Sequence, residues 1–347
     1  MIGPYAPSCP PLGLTGERIE LAHGGGGFKT RQLIEDIIRP ALAKASDDFT
    51  HDGAKLEIDG ARMAFTTDSY VVRPLFFPGG DIGTLAIHGT VNDLAMCGAA
   101  PVAISLALVL EEGFAIADLQ RIATSIRAAA DVAGVAIVTG DTKVVERGKG
   151  DGVYINTSGI GRIIAENPIV PQRVQPGDVI ILSGDVGRHG VAVMAMREGF
   201  RFETEIMSDC APLWAPVRAL IDSGCDLHCL RDLTRGGLAT GLIEIALAAG
   251  IEIMLDEPAV PVCEPVRGAC EILGIDPLYV ANEGRFIAVL PEADAAAALQ
   301  CLRGFDPAAA IIGRVEKAAE TGAVVVDTLG GKRPLDLLSG EQLPRIC

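Results

Sequence analysis

Three aspartates occupy positions where carboxylates are seldom left without partners. Asp68 closes the strand-like run Thr66-Thr67-Asp68-Ser69-Tyr70, Asp93 lies inside the helical pattern Val91-Asn92-Asp93-Leu94-Ala95, and Asp141 follows Ile137-Val138-Thr139-Gly140. Acidic side chains in apolar surroundings are rarely buried unpaired. Magnesium takes a few carboxylate oxygens together with phosphate oxygens and water, so separate aspartates converging on a nucleoside triphosphate make chemical sense; helix caps and turns are the alternative for each alone. Lys143 stands two residues beyond Asp141, so on an extended chain both point to one side. A cation there either neutralises charge developing in phosphoryl transfer or forms a surface salt bridge. Glu283, in Ala281-Asn282-Glu283-Gly284-Arg285, offers a general base or acid, or a turn carboxylate paired with Arg285.

Anion binding is suggested by three glycine-rich turns. His23-Gly24-Gly25-Gly26-Gly27 separates a strand-like run from a helical one, where free backbone amides and a helix N-terminus favour negative charge. It is not a Walker loop, because Phe28 stands where that motif needs its last glycine before Lys29-Thr30. A plain flexible turn is the competing reading. Ser183-Gly184-Asp185-Val186-Gly187-Arg188-His189-Gly190 and Arg231-Asp232-Leu233-Thr234-Arg235-Gly236-Gly237 repeat the pattern.

The sequence ends on a thiol, Cys347, after Leu343-Pro344-Arg345-Ile346. Glycines and prolines from residue 330 onward leave the segment few means of packing, and sixteen extended residues reach on the order of 50 Å. Such a thiol is either a travelling nucleophile or a frayed end. Cys225, His228 and Cys229 lack the second cysteine pair that a structural zinc site needs, and that stretch alternates like a half-buried strand.

The elements that must position these groups alternate along the chain. Strand patterns at residues 18–22, 62–67, 99–110, 135–139 and 154–164 interleave with helical ones at 33–42, 82–97 and 115–133. A turn-rich stretch over residues 166–177 divides this half from a second, with strands at 178–183, 251–255, 285–290 and 324–327 and helices near 191–198, 238–249 and 293–302. The expected fold is α/β plus α+β in two domains, residues 17–168 and 169–331, with an extension at 1–16 and a tail from 332. A 49% hydrophobic composition is ample for two cores. The net charge of −16 argues against a nucleic-acid partner. Nine cysteines, an odd number without framework spacing, suggest reduced thiols in a cytoplasm. No secretory leader is expected, and the longest apolar run, residues 99–110, is too short to span a bilayer.

Taken together, residues 66–70, 76–83, 91–95, 140–145, 231–237 and the closing Pro344-Arg345-Ile346-Cys347 resemble the NiFe-hydrogenase maturation factor HypE family of carbamoyl dehydratases. The aspartate and glycine motifs are shared with a wider superfamily of ATP-using enzymes that includes aminoimidazole ribonucleotide synthetase, selenophosphate synthetase and thiamine-monophosphate kinase, and the closing cysteine sets this family apart. The resemblance implies a homodimer whose N-terminal strands pair between copies, with ATP and Mg2+ in a cleft between domains. Asp68, Asp93 and Asp141 would hold metal and phosphates, and His23, Gly24, Gly25 and Gly26, with Gly140 and Thr142, would contact the nucleotide. Cys347 would receive a carbamoyl group from a partner carbamoyltransferase of HypF type, and the resulting S-cyanate would pass as cyanide to a HypC-HypD type scaffold. Lys143 as charge stabiliser and Glu283 as base are the catalytic expectations. A small-molecule kinase or synthetase of the same superfamily, and a non-catalytic thiol scaffold, are the competing functions.

Overall fold

The computed structural model describes residues 18–42, 51–200, 205–338 and 345–347. The expected extension at 1–16 lies outside them. A glycine-loop arm comes first: a 3₁₀ turn Leu21–Gly24, then α1 (Phe28–Leu33), a π-helical turn Ile34–Ile38 and α2 (Arg39–Leu42). The strand expected over 18–22 is therefore absent. Among the described residues no strand lies beside it to pair with, and Ile19 and Leu21 stay exposed.

Next come β1 (Ala54–Ile58), β2 (Ala61–Tyr70), a two-stranded ribbon β3 (Phe76–Phe77) and β4 (Gly80–Asp81), α3 (Ile82–Met96), β5 (Ala99–Glu111), α4 (Ile116–Ala133), β6 (Ala136–Val145) and β7 (Val153–Ile163). Five strands form one sheet in the order β1-β2-β7-β5-β6, antiparallel except for the parallel pair β5 and β6 that α4 connects. Asp81 starts α3 by accepting from the Gly83 and Thr84 amides, a cap that satisfies helix donors otherwise lacking partners. Apolar or small residues surround α3 on all sides, so it is buried nearly throughout, while α4 turns a single stripe of Ile122, Ile126, Ala129, Ala130 and Ala133 inward. No helix among the described residues covers the opposite sheet face in this way. All but the last residue of β6 are exposed, and Phe65, Val102, Val138 and Val144 stand open beside it.

The second half contains β8 (Asp178–Leu182), α5 (Arg188–Glu198), α6 (Trp214–Asp222), β9 (Cys229–Asp232), α7 (Gly237–Ala249), β10 (Ile251–Asp256), α8 (Glu264–Leu273), β11 (Phe286–Pro291), α9 (Ala295–Arg303), β12 (Ala310–Ala318), β13 (Ala323–Thr328) and β14 (Gly331–Pro334). They build a seven-stranded sheet in the order β14-β13-β10-β12-β8-β11-β9. Its central strands read as unbroken apolar runs because both faces are covered. Ile180, Leu182, Ile287 and Val289 pack with Leu238, Leu242 and Ala246 of α7, while the alternate residues Val179, Ile181, Phe286 and Ala288 pack with α6 and α9. A tail free from residue 332 is not what forms: Lys332 and Arg333 pair with Asp327 and Val326, and Leu335 is buried against the core.

Candidate active site

A cleft of about 670 Å³ lies where β2, α3 and β9 meet the glycine-loop arm. At its floor, one carboxylate oxygen each of Asp52, Asp93 and Asp232 lies within 4.8 Å of the others. The ends of three segments bring them there: Asp52 sits just before β1, Asp93 on α3, and Asp232 closes β9. Asp93 accepts from the Thr66 hydroxyl at 2.7 Å, and Asp52 pairs with Arg231 at 2.9 Å. Asp52 Oδ2 and Asp232 Oδ2 are buried without a hydrogen-bond partner. Burial pushes the Asp52 carboxyl up to about 6 against the pull of Arg231. Burial, then the neighbouring carboxylates, pushes Asp93 and Asp232 well above the usual range. Hard oxygen donors left bare and mutually repelling fit a divalent cation such as Mg2+.

Above this floor the glycine loop turns back on the second domain. The Arg235 guanidinium donates to the Gly24 carbonyl at 3.0 Å, and a Cβ on Gly26, where φ is 76°, would meet the Arg235 side chain at 2.8 Å. The Phe28 amide donates to Leu338 O at 3.1 Å. Gly236 and Gly237, both at positive φ, let the chain turn tightly into α7, and a Cβ on Gly237 would strike the Val280 and Leu278 carbonyls. Glu283 is buried beside the cleft, with Oε1 unpartnered. Burial, then Asp232, Asp209 and Asp68, holds its carboxyl well above the ordinary value, against Arg235.

Cys347 reaches into this cleft. The Val71 amide donates to Cys347 O at 3.0 Å, and the Arg73 amide to Arg345 O at 3.2 Å, a short antiparallel pairing of the kind by which sheets capture extended peptides. Arg345 pairs with Asp151 at 2.8 Å, and Ile346 is 4% exposed against the first core. Burying such a side chain contributes about 1.5–3 kcal/mol. Burial raises the Cys347 thiol against the opposing pull of Arg235, with Glu283, Asp68 and Asp232 adding to the rise.

Asp68, Asp93, Glu283 and Cys347 thus line one cleft, as do Gly26 and Gly27, and Gly24 and Gly25 face a smaller chamber of about 150 Å³ beside the tail. His23 is drawn aside: its Nδ1 accepts from the Glu20 amide at 2.9 Å. The expectation that Asp141 joins Asp68 and Asp93 is not met within one chain. Gly140, Asp141, Thr142 and Lys143 lie exposed along edge strand β6, with Asp141 and Lys143 paired to each other at 2.7 Å, because that strand lies three places from β2 in the sheet. Asp52 and Asp232 complete the carboxylate cluster instead. Asp232 was within reach of sequence reading as the strand-ending acid of the third glycine turn; Asp52, in His51-Asp52-Gly53, carries no pattern. Cys225, His228 and Cys229 form no metal cluster among the described residues. His228 is held by Asp178 at 2.7 Å and Asp226 at 3.2 Å.

A two-domain fold with a carboxylate-floored cleft at the domain junction places the chain in the class of AIR synthase related proteins. Residues 50–163 match that family's N-terminal domain and residues 175–326 its C-terminal domain. The chain belongs to the HypE carbamoyl dehydratase family. It is 50% identical over 339 residues to carbamoyl dehydratase HypE of Azotobacter vinelandii, covering 97% of this chain and 99% of that one. It resembles the crystal structure of hydrogenase maturation protein HypE in complex with ATP with a TM-score of 0.80 and 46% identity, covering 95% and 100% of the two chains. A chain of the crystal structure of a HypE-HypF complex superposes with a TM-score of 0.83 at 42% identity, covering 88% of this chain and 99% of that one. No helix among the described residues is long and apolar enough to cross a membrane.

Proposed function

We propose that this protein dehydrates an S-carbamoyl group carried on Cys347 to S-cyanate at the expense of ATP, supplying cyanide for hydrogenase iron. The observation that carries this reading is the seating of Cys347 in the same cleft as the Asp52, Asp93 and Asp232 cluster and the buried Glu283. A thiol carrier has to be brought to a phosphoryl-transfer site, and here it is held there by backbone pairing.

Oxide is a poor leaving group from a carboxamide, whereas phosphate leaves readily. The carboxamide oxygen of S–C(=O)–NH2 therefore takes the γ-phosphoryl group of ATP and the nitrogen gives up one proton, leaving S–C(–OPO3)=NH and ADP. Loss of the second nitrogen proton with departure of phosphate gives S–C≡N. Glu283 acts as the base in this reading: its Oε1 has no hydrogen-bond partner, and burial, which raises its carboxyl, makes the ionised form a stronger proton acceptor. Arg235, permanently charged as a guanidinium and lining the same cleft, offsets charge at the reacting centre. Asp52, Asp93 and Asp232 would hold Mg2+, with Asp68 beside them; when bound, the ion neutralises phosphate charge. Gly24 to Gly27 and the start of α7 offer backbone amides to the phosphates.

Asp141 and Lys143 enter this scheme through a second copy. The uncovered face of the first sheet, with exposed Phe65, Val102, Val138 and Val144, is the kind of apolar surface that marks an interface. A homodimer closed over that face carries the β6 residues of one copy toward the cleft of the other, where Asp141, Gly140 and Thr142 contact nucleotide and metal and Lys143 stabilises charge. A HypF-type carbamoyltransferase loads Cys347 and a HypC-HypD type complex unloads it, in a cytoplasm where the described cysteines stay free thiols. Single-turnover cyanation of carbamoylated Cys347 tests the reading: it requires ATP and Mg2+ and fails in Cys347→Ser. Turnover of a free small molecule by that variant would favour a superfamily kinase or synthetase instead.

A further inference from the structure

We propose that His189 is the positioning residue that sets the register of Cys347 in the cleft, with Ser208 fixing the imidazole in the tautomer this requires. The inference rests on reading Cys347 as the carbamoyl carrier. All three closing residues surrender their carbonyl oxygens to held donors. Arg345 O takes the Arg73 amide and the Arg197 guanidinium at 2.8 Å, and Cys347 O takes the Val71 amide. The middle one, Ile346 O, meets a wholly buried imidazole: His189 Nε2 lies 2.8 Å away.

A carbonyl oxygen only accepts, so Nε2 must carry the hydrogen. Burial disfavours the imidazolium, so the neutral ring has a bare Nδ1. Nδ1 lies 2.8 Å from Ser208 Oγ, and that oxygen already accepts the Cys210 amide at 3.0 Å, so its own proton is free to point at Nδ1. The Phe77 ring meets the imidazole edge to face, with centroids 5.3 Å apart and an interplanar angle of 87°.

The same frame holds the proposed base. His189 is the second residue of α5, and the Gly190 amide donates to Ala281 O at 3.0 Å, two residues before Glu283. Asp209, next to Ser208, accepts the Glu283 amide at 3.2 Å. Tail register and base position therefore share one set of hydrogen bonds, which fixes the distance between the carried carboxamide and the group that deprotonates it.

The test uses the full chain with His189→Ala, His189→Gln and Ser208→Ala, and reads iodoacetamide alkylation at each cysteine by peptide mass spectrometry. Cys229 and Cys270, both 1% exposed, report whether the fold stays closed. Loss of a buried hydrogen bond of this kind shifts docking by about tenfold, so Cys347 alkylates about tenfold faster in His189→Ala and Ser208→Ala falls between that variant and wild type. His189→Gln, whose amide can still donate to Ile346 O, stays within about threefold of wild type. Alkylation reads the undocked fraction of the tail and dehydration the docked one, so single-turnover dehydration in His189→Ala slows at saturating ATP by less than the alkylation speeds, about twofold where docking stays near balance, with nucleotide affinity unchanged. Wild-type alkylation of Cys347 in His189→Ala while Cys229 and Cys270 remain protected overturns the proposal, as does a Gln variant no better than Ala. If His189→Ala opens Cys229 and Cys270 as well, the Ser208→Ala comparison decides by the same criterion. Alkylation needs neither ATP nor carbamoyl group, so failure of the latch is distinguishable from failure of the carrier reading.

Discussion

Replacing Asp232 by Asn separates what the carboxylate cluster does for the fold from what it does for the ligand. Without a cation, two ionised carboxylates 4.8 Å apart repel by about 3.5 kcal/mol at an effective dielectric constant of ~20. The cluster escapes most of that by retaining protons, which is why burial and the like charges hold Asp93 and Asp232 above the usual carboxylate range. Removing one member relieves on the order of 1–2 kcal/mol of what is left. In a metal-free buffer with chelator, Asp232→Asn should therefore melt higher than wild type by ~1–3 °C. With Mg2+ and ATP the order reverses. Wild type gains about 2.7 kcal/mol at a hundredfold excess over its dissociation constant, and the variant, short of one ligand, gains much less. Paired melting curves with and without Mg2+-ATP read both effects. A variant less stable than wild type in chelator would show that Asp232 is an ordinary structural partner, and one still fully stabilised by Mg2+-ATP would show that the cluster is not the cation site.

Glu283→Gln should lower single-turnover cyanation by at least ~100-fold while leaving ATP affinity within a few fold, measured by quench-flow and nucleotide titration. The docked tail should loosen as pH rises. Cys347 binds its proton more tightly docked than free, so raising pH past the ordinary thiol value of about 8.5 favours the released form; protection factors of the Val71 and Arg73 amides, taken relative to their base-catalysed intrinsic exchange, should fall there in wild type and stay level in Cys347→Ser. Val144→Asp, on exposed β6, should convert a dimer to monomer in sedimentation and depress cyanation along with it. Asp151→Asn should weaken tail docking by only a few fold, because its pair with Arg345 is half exposed and such pairs contribute ~1 kcal/mol or less.

Much of this was legible in the residues, for identifiable reasons. β8 and β11 are buried on both faces and read as unbroken apolar runs; α4 buries one face and reads as a stripe. Asp93 stood out as an acid inside a mostly apolar helical pattern, where carboxylates are seldom left without partners. What sequence could not supply was convergence. Asp52 joins the cluster from a turn with no pattern of its own, and its partner Arg231 is 179 positions away by number (231 − 52). Residues 18–22 show the opposite error: they read as a strand, but a strand needs a neighbour, and the described residues place none beside them. Lys332 and Arg333 were read as loose because the glycines and prolines around them leave few means of packing, yet an edge strand needs only backbone pairing, which β13 provides.

The most direct measurement is intact-protein mass spectrometry of the full chain after loading by a carbamoyltransferase. A gain of about 43 Da on Cys347, followed by loss of about 18 Da that requires ATP and Mg2+, is the expected result. Retention of the added mass in the presence of ATP, or its removal as a whole without a cyanated intermediate, would contradict the assignment of Cys347 as the carrier on which dehydration occurs.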